Sequence, residues 1–212
     1  MAMALCLAGS TESEASEADG ATAQLLGWSE DGRSWAVLSS AVTESIEVYT
    51  DGKLVLTLCT IEDPDDPYGS DCSPSKTTKV IDVLDSDRYS GMQRVNIEKH
   101  KYLKPFKLKR LKSSMRKGFK TSYSIKGIGK SKDPEGKRCK LGWSVSAKSD
   151  PSSSLHEHKE KSGCVRAKGG FLHPSGKVAL IKQLHSGEDS DDDAGYSTFE
   201  WESYILVALS KK

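Results

Sequence analysis

The chain has 212 residues, 36% of them hydrophobic and 29% charged, with a formal net charge of +1. That length supports one domain with a real core, and no stretch approaches the about 20 consecutive apolar residues of a membrane-spanning helix. The near-neutral total hides a segregation: residues 1–75 carry 14 Asp/Glu against Arg33 and Lys53, residues 76–182 carry 27 Lys/Arg against 9 Asp/Glu, and residues 183–212 carry 7 Asp/Glu against Lys211 and Lys212. Either the acidic ends fold back on the basic middle, or the middle meets a polyanion.

Residues 1–22 open on an apolar run, pass through the small residues Ala8-Gly9-Ser10 and continue as a Ser/Glu/Ala tract. The order is that of a truncated secretory signal peptide followed by a disordered tether, although no basic residue precedes the apolar run. Leu5 is too bulky for the position before a lipidated cysteine, so Cys6 does not read as a lipoprotein site. Residues 23–212 then read as a single β-rich domain with long polar loops. "LLGW" and "SWAVLSS" flank Ser29-Glu30-Asp31-Gly32-Arg33, and "SIEVYT" and "KLVLTLCT" flank Asp51-Gly52. Asp-Gly between apolar runs is a hairpin signal, because glycine tolerates positive φ. Gly32 is therefore expected at positive φ, with Asp31 capping the turn. Trp35 and Val37 should lie on one face of their strand, and Ala36 and Leu38 on the other.

"IEDPDDPYGSDCSPS", with three prolines and five acids, reads as a loop, and "KTTKVIDVLD" as a strand. Tyr89, Met92 and Val95 recur at helical spacing over residues 86–103. "KPFKLKRLKSS" and "GFKTSYSIKG" alternate cationic and apolar residues and read as one-sided strands. "CKLGWSVSAK" reads as a strand, "SDPSSSLHEHKEKSG" as a polar loop, and "CVRAKGGFLHPSGKVALIKQL" as strand, turn, strand. "HSGEDSDDDAGYS" reads as an acidic loop before the last strand, "TFEWESYILVALS". The expected fold class is mainly β: antiparallel hairpins in a sandwich or barrel-like arrangement with at most one or two short helices.

"FLHPSGKVALIKQ" repeats the design of "GWSEDGRSWAVLSS": an aromatic, a short Ser/Gly turn, a cation, then Ala-Val or Val-Ala. Trp28-Ser29, Asp31-Gly32-Arg33 and Ala36 resemble the blade motif of Tol-type and WD-type β-propellers, where such a turn joins two inner strands. The second copy, Pro174-Ser175-Gly176-Lys177, matches more loosely. Two units cannot close a propeller, which needs at least about four blades, so the motif reads as hairpin physics or as a relic. The chain also resembles bacterial secreted proteins, which implies a periplasmic or extracellular place in the bacterial envelope.

Five cysteines occur. Without Cys6 four remain, Cys59, Cys72, Cys139 and Cys164, and four allow three connectivities. Nearest-neighbour disulfides, Cys59–Cys72 and Cys139–Cys164, close short loops between strands. A zinc site would need cysteines two to four residues apart, and none are.

The stretch Arg94–Lys148 carries 18 Lys/Arg against 3 Asp/Glu, with Tyr102, Phe106, Phe119, Tyr123 and Trp143 interleaved. Cations for phosphates and aromatics for stacking compose a single-strand nucleic-acid binder. In an exported chain an anionic lipid surface or an acidic glycan fits the cations equally well, and a solvated sheet face is the plain alternative. The candidate contacts are Lys104, Lys107, Lys109, Arg110, Lys112, Arg116, Lys117 and Lys120. Asp189, Asp191, Asp193 and Glu200 fall at positions 1, 3, 5 and 12 of a calcium-loop pattern, with Ala194 where that pattern wants glycine. No other cofactor is indicated. His156-Glu157-His158 would put two rings on one face of a strand, but its Ser/Lys/Glu surroundings favour solvated histidines. "GIGKS" lacks the first glycine of a phosphate-binding loop, and no nucleophile-elbow serine is present. The expected function is an exported, non-catalytic binding or structural domain, with polyanion binding through the basic middle. The alternative is a secreted hydrolase whose site is assembled from distant residues.

Overall fold

A computed structural model describes residues 21–40, 44–61, 76–82, 96–133, 136–191 and 195–209. β1 (Thr22–Ser29), β2 (Ser34–Ser40), β3 (Glu44–Thr50) and β4 (Lys53–Ile61) form successive antiparallel hairpins. β5 (Thr78–Asp82) adds parallel to β4, and β6 (Leu108–Arg110) adds antiparallel to β1, giving a six-stranded sheet in the order β5-β4-β3-β2-β1-β6. A short 3-10 turn, Lys104–Phe106, precedes β6. The helix α1 (Ser113–Ser122) leads into β7 (Tyr123–Ile128). β8 (Ser131–Lys132) and β9 (Arg138–Cys139) make a two-stranded ladder. β10 (Gly142–Ala147) and β11 (Asp150–Lys159) join β7 in a three-stranded sheet, order β11-β10-β7. β12 (Cys164–Leu172), β13 (Val178–Asp191) and β14 (Gly195–Ala208) make a second three-stranded sheet. The fold is mainly antiparallel β, as the hairpin signals predict.

The opening hairpin follows its turn chemistry. Gly32 sits at φ +76°, and its N–H donates to the Ser29 carbonyl at 3.1 Å. The Asp31 carboxylate accepts from the Arg33 N–H at 3.0 Å and from the Ser29 hydroxyl at 2.6 Å. The connection is four residues, 30–33, rather than two. β2 is buried on both faces: Trp35 and Val37 pack with Trp28 and Leu180, while Ala36 and Leu38 pack with Ile46, Val48 and Leu58. The second copy is also a hairpin turn, between β12 and β13, with Gly176 at φ +70°. The two turns touch. The His173 ring meets the Trp28 ring edge-on at 4.9 Å, and its Nε2–H donates to the Ser29 carbonyl at 3.2 Å. Its Nδ1 is left to accept from the Ser175 N–H at 3.2 Å.

A second seam joins β1 to β14. Ala21 bridges Trp201, the Glu202 N–H donates to the Ala21 carbonyl at 2.9 Å, and the Glu202 carboxylate accepts from the Ala23 N–H at 3.0 Å. Lys182 holds that carboxylate from the neighbouring strand at 2.6 Å.

Three sequence readings are corrected. The cationic stretch expected as strands contains α1. Met115 and Phe119 stand four residues apart on one side of it, with Arg116, Lys117 and Lys120 on the other. Phe119 is buried against Gly170 of β12. Burial of that face overrides the period-two pattern. The polar loop "SDPSSSLHEHK" is β11, carried by backbone pairing to β10 rather than by apolar side chains. The acidic loop is the end of a long hairpin, since β13 runs to Asp191 and β14 starts at Gly195. Of the leader read over 1–22, residues 1–20 lie outside the described residues, while Ala21 and Thr22 already pair with Trp201 and Ser40; of the helix read over 86–103, Tyr89, Met92 and Val95 lie outside them, and residues 96–103 make turns instead.

Candidate anion-binding face

All eight predicted cations, Lys104, Lys107, Lys109, Arg110, Lys112, Arg116, Lys117 and Lys120, are solvent-exposed. Six of them fall into two groups, and Arg110 and Lys112 belong to neither. Lys104, Lys107 and Lys109 border a cleft of about 1070 Å³ that Glu30, Asp31 and Glu98 also line, and Lys109 pairs with Glu98 at 3.8 Å. Charge is mixed there. Arg116, Lys117 and Lys120 instead line a shallow depression of about 560 Å³ with Lys148, Ser113 and Thr121, and no acid. Lys148 comes from the β10–β11 turn. Its N–H donates to the Ser122 carbonyl at 2.9 Å and its ammonium to the Lys120 carbonyl at 2.6 Å, which ties the turn to the helix end. The first turn of α1 holds no acid and no side-chain cap, so Ser113 and Arg116 sit by the positive end of its dipole, while Lys120 and Lys148 stand at the opposite end, by its last carbonyls.

The described acids of the N-terminal segment do not cover this face. Asp51 is bound by the Arg33 guanidinium, with Nε to Oδ1 at 2.9 Å, and this partner holds its carboxyl below the usual range. Asp31 is held low by the Ser29 hydroxyl and then by the Arg33 N–H. Glu47 accepts from the Tyr49 hydroxyl at 2.6 Å.

None of the interleaved aromatics lines the α1 depression, although Phe106, partly buried, lines the cleft of Lys104, Lys107 and Lys109. Phe119 and Trp143 are buried, Tyr123 packs against the same cluster, and Tyr102 and Phe106 pack against the core under β6.

Of the calcium-pattern residues, Asp189 and Asp191 lie on β13 and Glu200 lies exposed on β14, while Asp193 lies outside the described residues. Among the described residues no three His, Cys, Asp or Glu side chains converge as a metal site. Cys139 and Cys164 form a disulfide with Cα atoms 5.8 Å apart. Cys59 is also disulfide-bonded, and Cys72 lies outside the described residues. No helix among the described residues is long and apolar enough to cross a membrane.

The sequence does not announce a polar chain around Trp143. The indole N–H can only donate, and the Gln183 carbonyl oxygen accepts it at 3.0 Å. The Gln183 amide N–H₂ must then donate to the Ser203 hydroxyl oxygen, 3.1 Å away. The Ser203 hydroxyl also meets His185 Nε2 at 2.9 Å, where either atom can donate. His185 Nδ1 faces Glu160 at 3.9 Å. Glu160 accepts from His158 Nε2 at 2.8 Å. His156 and His158, which read as solvated, both lie over Trp143, at 5.7 and 5.2 Å between ring centroids. Burial pushes His156 and His185 below the ordinary imidazole range. Cross-strand register brings these residues together, and sequence spacing carries no sign of it.

Fold and surface together define a mainly antiparallel β protein with one exposed cationic helix. No family model, curated protein or solved structure matches the chain.

Proposed function

We propose that the chain is an exported, non-catalytic binding domain that engages an acidic glycan through the α1 face. The observation that carries this is the depression formed by Arg116, Lys117, Lys120 and Lys148 without any acid. Four cations around two hydroxyls suit sulfate or phosphate esters. No aromatic lines this depression, which disfavours single-stranded nucleic acid, whose binders gain about 1–3 kcal/mol per base from stacking. Leu54 is the exposed large hydrophobic among the described residues, and it lies on β4, so an apolar anchor for a lipid surface is missing beside α1. The Cys139–Cys164 disulfide fits an oxidising compartment, in keeping with the bacterial envelope or the medium outside it.

Heparin, single-stranded DNA and anionic vesicles test the reading. Heparin should bind with an affinity that falls steeply with salt, and Arg116→Glu/Lys120→Glu should flatten the salt slope by about two. DNA that binds as tightly as heparin at equal charge, or an unchanged slope, would sink it.

A second reading, a hydrolase, rests on Glu160 and His185, which share a cleft of about 540 Å³, with Ser203 bonded to His185. A serine-directed fluorophosphonate should then label Ser203, and a fully unlabelled protein removes that reading.

A further inference from the structure

A smaller cleft of about 410 Å³ opens between the β7–β10 edge of one sheet and the β12–β13 edge of the other. Its volume falls within the roughly 300–1,000 Å³ of small-molecule sites. The floor is apolar: Ile125, Trp143, Val165 and Leu184 line it. The rim is cationic: Arg138, Lys140 and Arg166, all exposed, also line it. Two acids share the rim, Asp133 and Glu200. The Asp133 carboxylate is engaged in its own turn, accepting from the Lys137 N–H at 2.6 Å.

A disulfide, a hydrogen bond and a steric gap bring the rim together. The Cys139–Cys164 disulfide fastens the segment bearing Arg138 and Lys140 to β12, which bears Arg166. The Val165 N–H donates to the Lys140 carbonyl at 3.0 Å and fixes the same junction. Gly127 on β7 leaves room for the Lys140 stem: a Cβ there would lie 2.8 Å from Lys140 Cγ. The stem therefore lies flat along β7, alongside the cleft it lines.

We propose that this disulfide-clasped cleft binds a single-tailed amphiphile with an anionic head, a fatty carboxylate of medium chain length, its tail on the apolar floor and its carboxylate at Arg138, Lys140 and Arg166. Apolar burial supplies affinity, and the cations select the head. The site is separate from the α1 face and does not rest on the glycan reading.

Calorimetric titration with decanoate tests it, with acetate as the head alone and decanol as the tail alone. Decanoate should bind saturably, decanol at least tenfold more weakly, and acetate not measurably. Lys140→Glu/Arg166→Glu should weaken decanoate at least tenfold. Gly127→Ala, which displaces the Lys140 stem without removing its charge, should weaken it by a smaller factor. Arg116→Glu/Lys120→Glu should leave decanoate unchanged while weakening heparin and flattening its salt slope, so failure of one reading is distinguishable from failure of the other. Circular dichroism establishes that each variant is folded. Absent decanoate binding, decanol binding as tight as decanoate, or an unchanged affinity in the folded double charge reversal would each overturn the proposal.

Discussion

Trp28 and Trp35 face each other in the β1–β2 register, each almost wholly buried, yet their indole N–H groups fare differently. That of Trp28 donates to the Gly32 carbonyl at 3.0 Å and closes the turn onto the strand. That of Trp35 has no partner among the described residues, and its ring stacks on Tyr49 at 5.4 Å. Trp28→Phe strands a buried carbonyl and should cost about 1–3 kcal/mol, whereas Trp35→Phe removes an unpaired donor and should cost clearly less. Urea denaturation of the two variants checks the order, and equal losses would contradict it. Gly32→Val places a β-branched residue at positive φ, with its Cβ 3.1 Å from Val178 Cγ2. It should cost about 1–3 kcal/mol in backbone strain alone. The histidines set a pH dependence whose sign follows from linkage. His156 and His185 have folded pKa values lowered from 6.5, first by burial. His158 lowers both further, Glu157 raises His156, and Glu160 raises His185. The unfolded chain therefore binds more protons below about pH 6.5, and the stability present above that pH is lost as pH falls toward the folded values. Melting temperature should drop between pH 7.5 and 5, and His156→Gln should blunt the drop.

At the scale of elements, legibility tracks how local the determining physics is. Both glycine turns are readable because an Asp-Gly or Ser-Gly pair sets the chain direction within four residues. The faces of β2 are readable from its alternation. Helix α1 is not, because "GFKTSYSIKG" alternates at period two through the very residues that form the last turns. What decides is Phe119 docking on β12, about fifty residues downstream. β11 is unreadable for a related reason: Ser152, Ser153 and Ser154 have no apolar pattern, and its pairing to β10 is supplied from outside. The candidate site divides the same way. The α1 cations are visible as composition, but Lys148 joins them only through a turn, and the rim of the smaller cleft is assembled across three strands. The Phe119 contact is testable. Phe119→Ala should cost about 3–5 kcal/mol and should remove heparin binding along with the helix, whereas Lys117→Ala should weaken heparin without a change in melting temperature. The disulfide belongs to this scale too. Cys139→Ser/Cys164→Ser reopens a link of 25 residues and should cost about 2–4 kcal/mol.

Across the whole molecule, the described acids of the two ends meet part of the basic middle, Glu30 and Asp31 sharing a cleft with Lys104, Lys107 and Lys109 and Glu202 pairing with Lys182, while no described acid lines the α1 depression. Asp31, Asp51, Glu47 and Glu202 each find a partner on β1–β3 or at the β13–β14 seam, and the cations of α1 are left to solvent. The larger sheet and the β12–β14 sheet are nonetheless bound into one core. Leu180 of β13 is fully buried among Trp28, Trp35 and Val37, His173 reaches the first turn, and Glu202 holds the start of β1 from the neighbouring sheet. This arrangement predicts a single cooperative unfolding transition, not one for each sheet. Near-ultraviolet absorption reads the four tryptophans, Trp28 and Trp35 on the β1–β2 side and Trp143 and Trp201 on the other two sheets, and backbone dichroism reports on all strands. Their melting curves should coincide. Leu180→Ala removes the side chain at the centre of the shared cluster and should cost about 2–5 kcal/mol. For a chain of this size each kcal/mol lowers the melting temperature by about 2–4 °C, and both reporters should shift together. If Leu180→Ala instead split the transition in two, the hairpin-to-hairpin contact would be a docking of two independently stable sheets, and the seam through Glu202 would be dispensable to either.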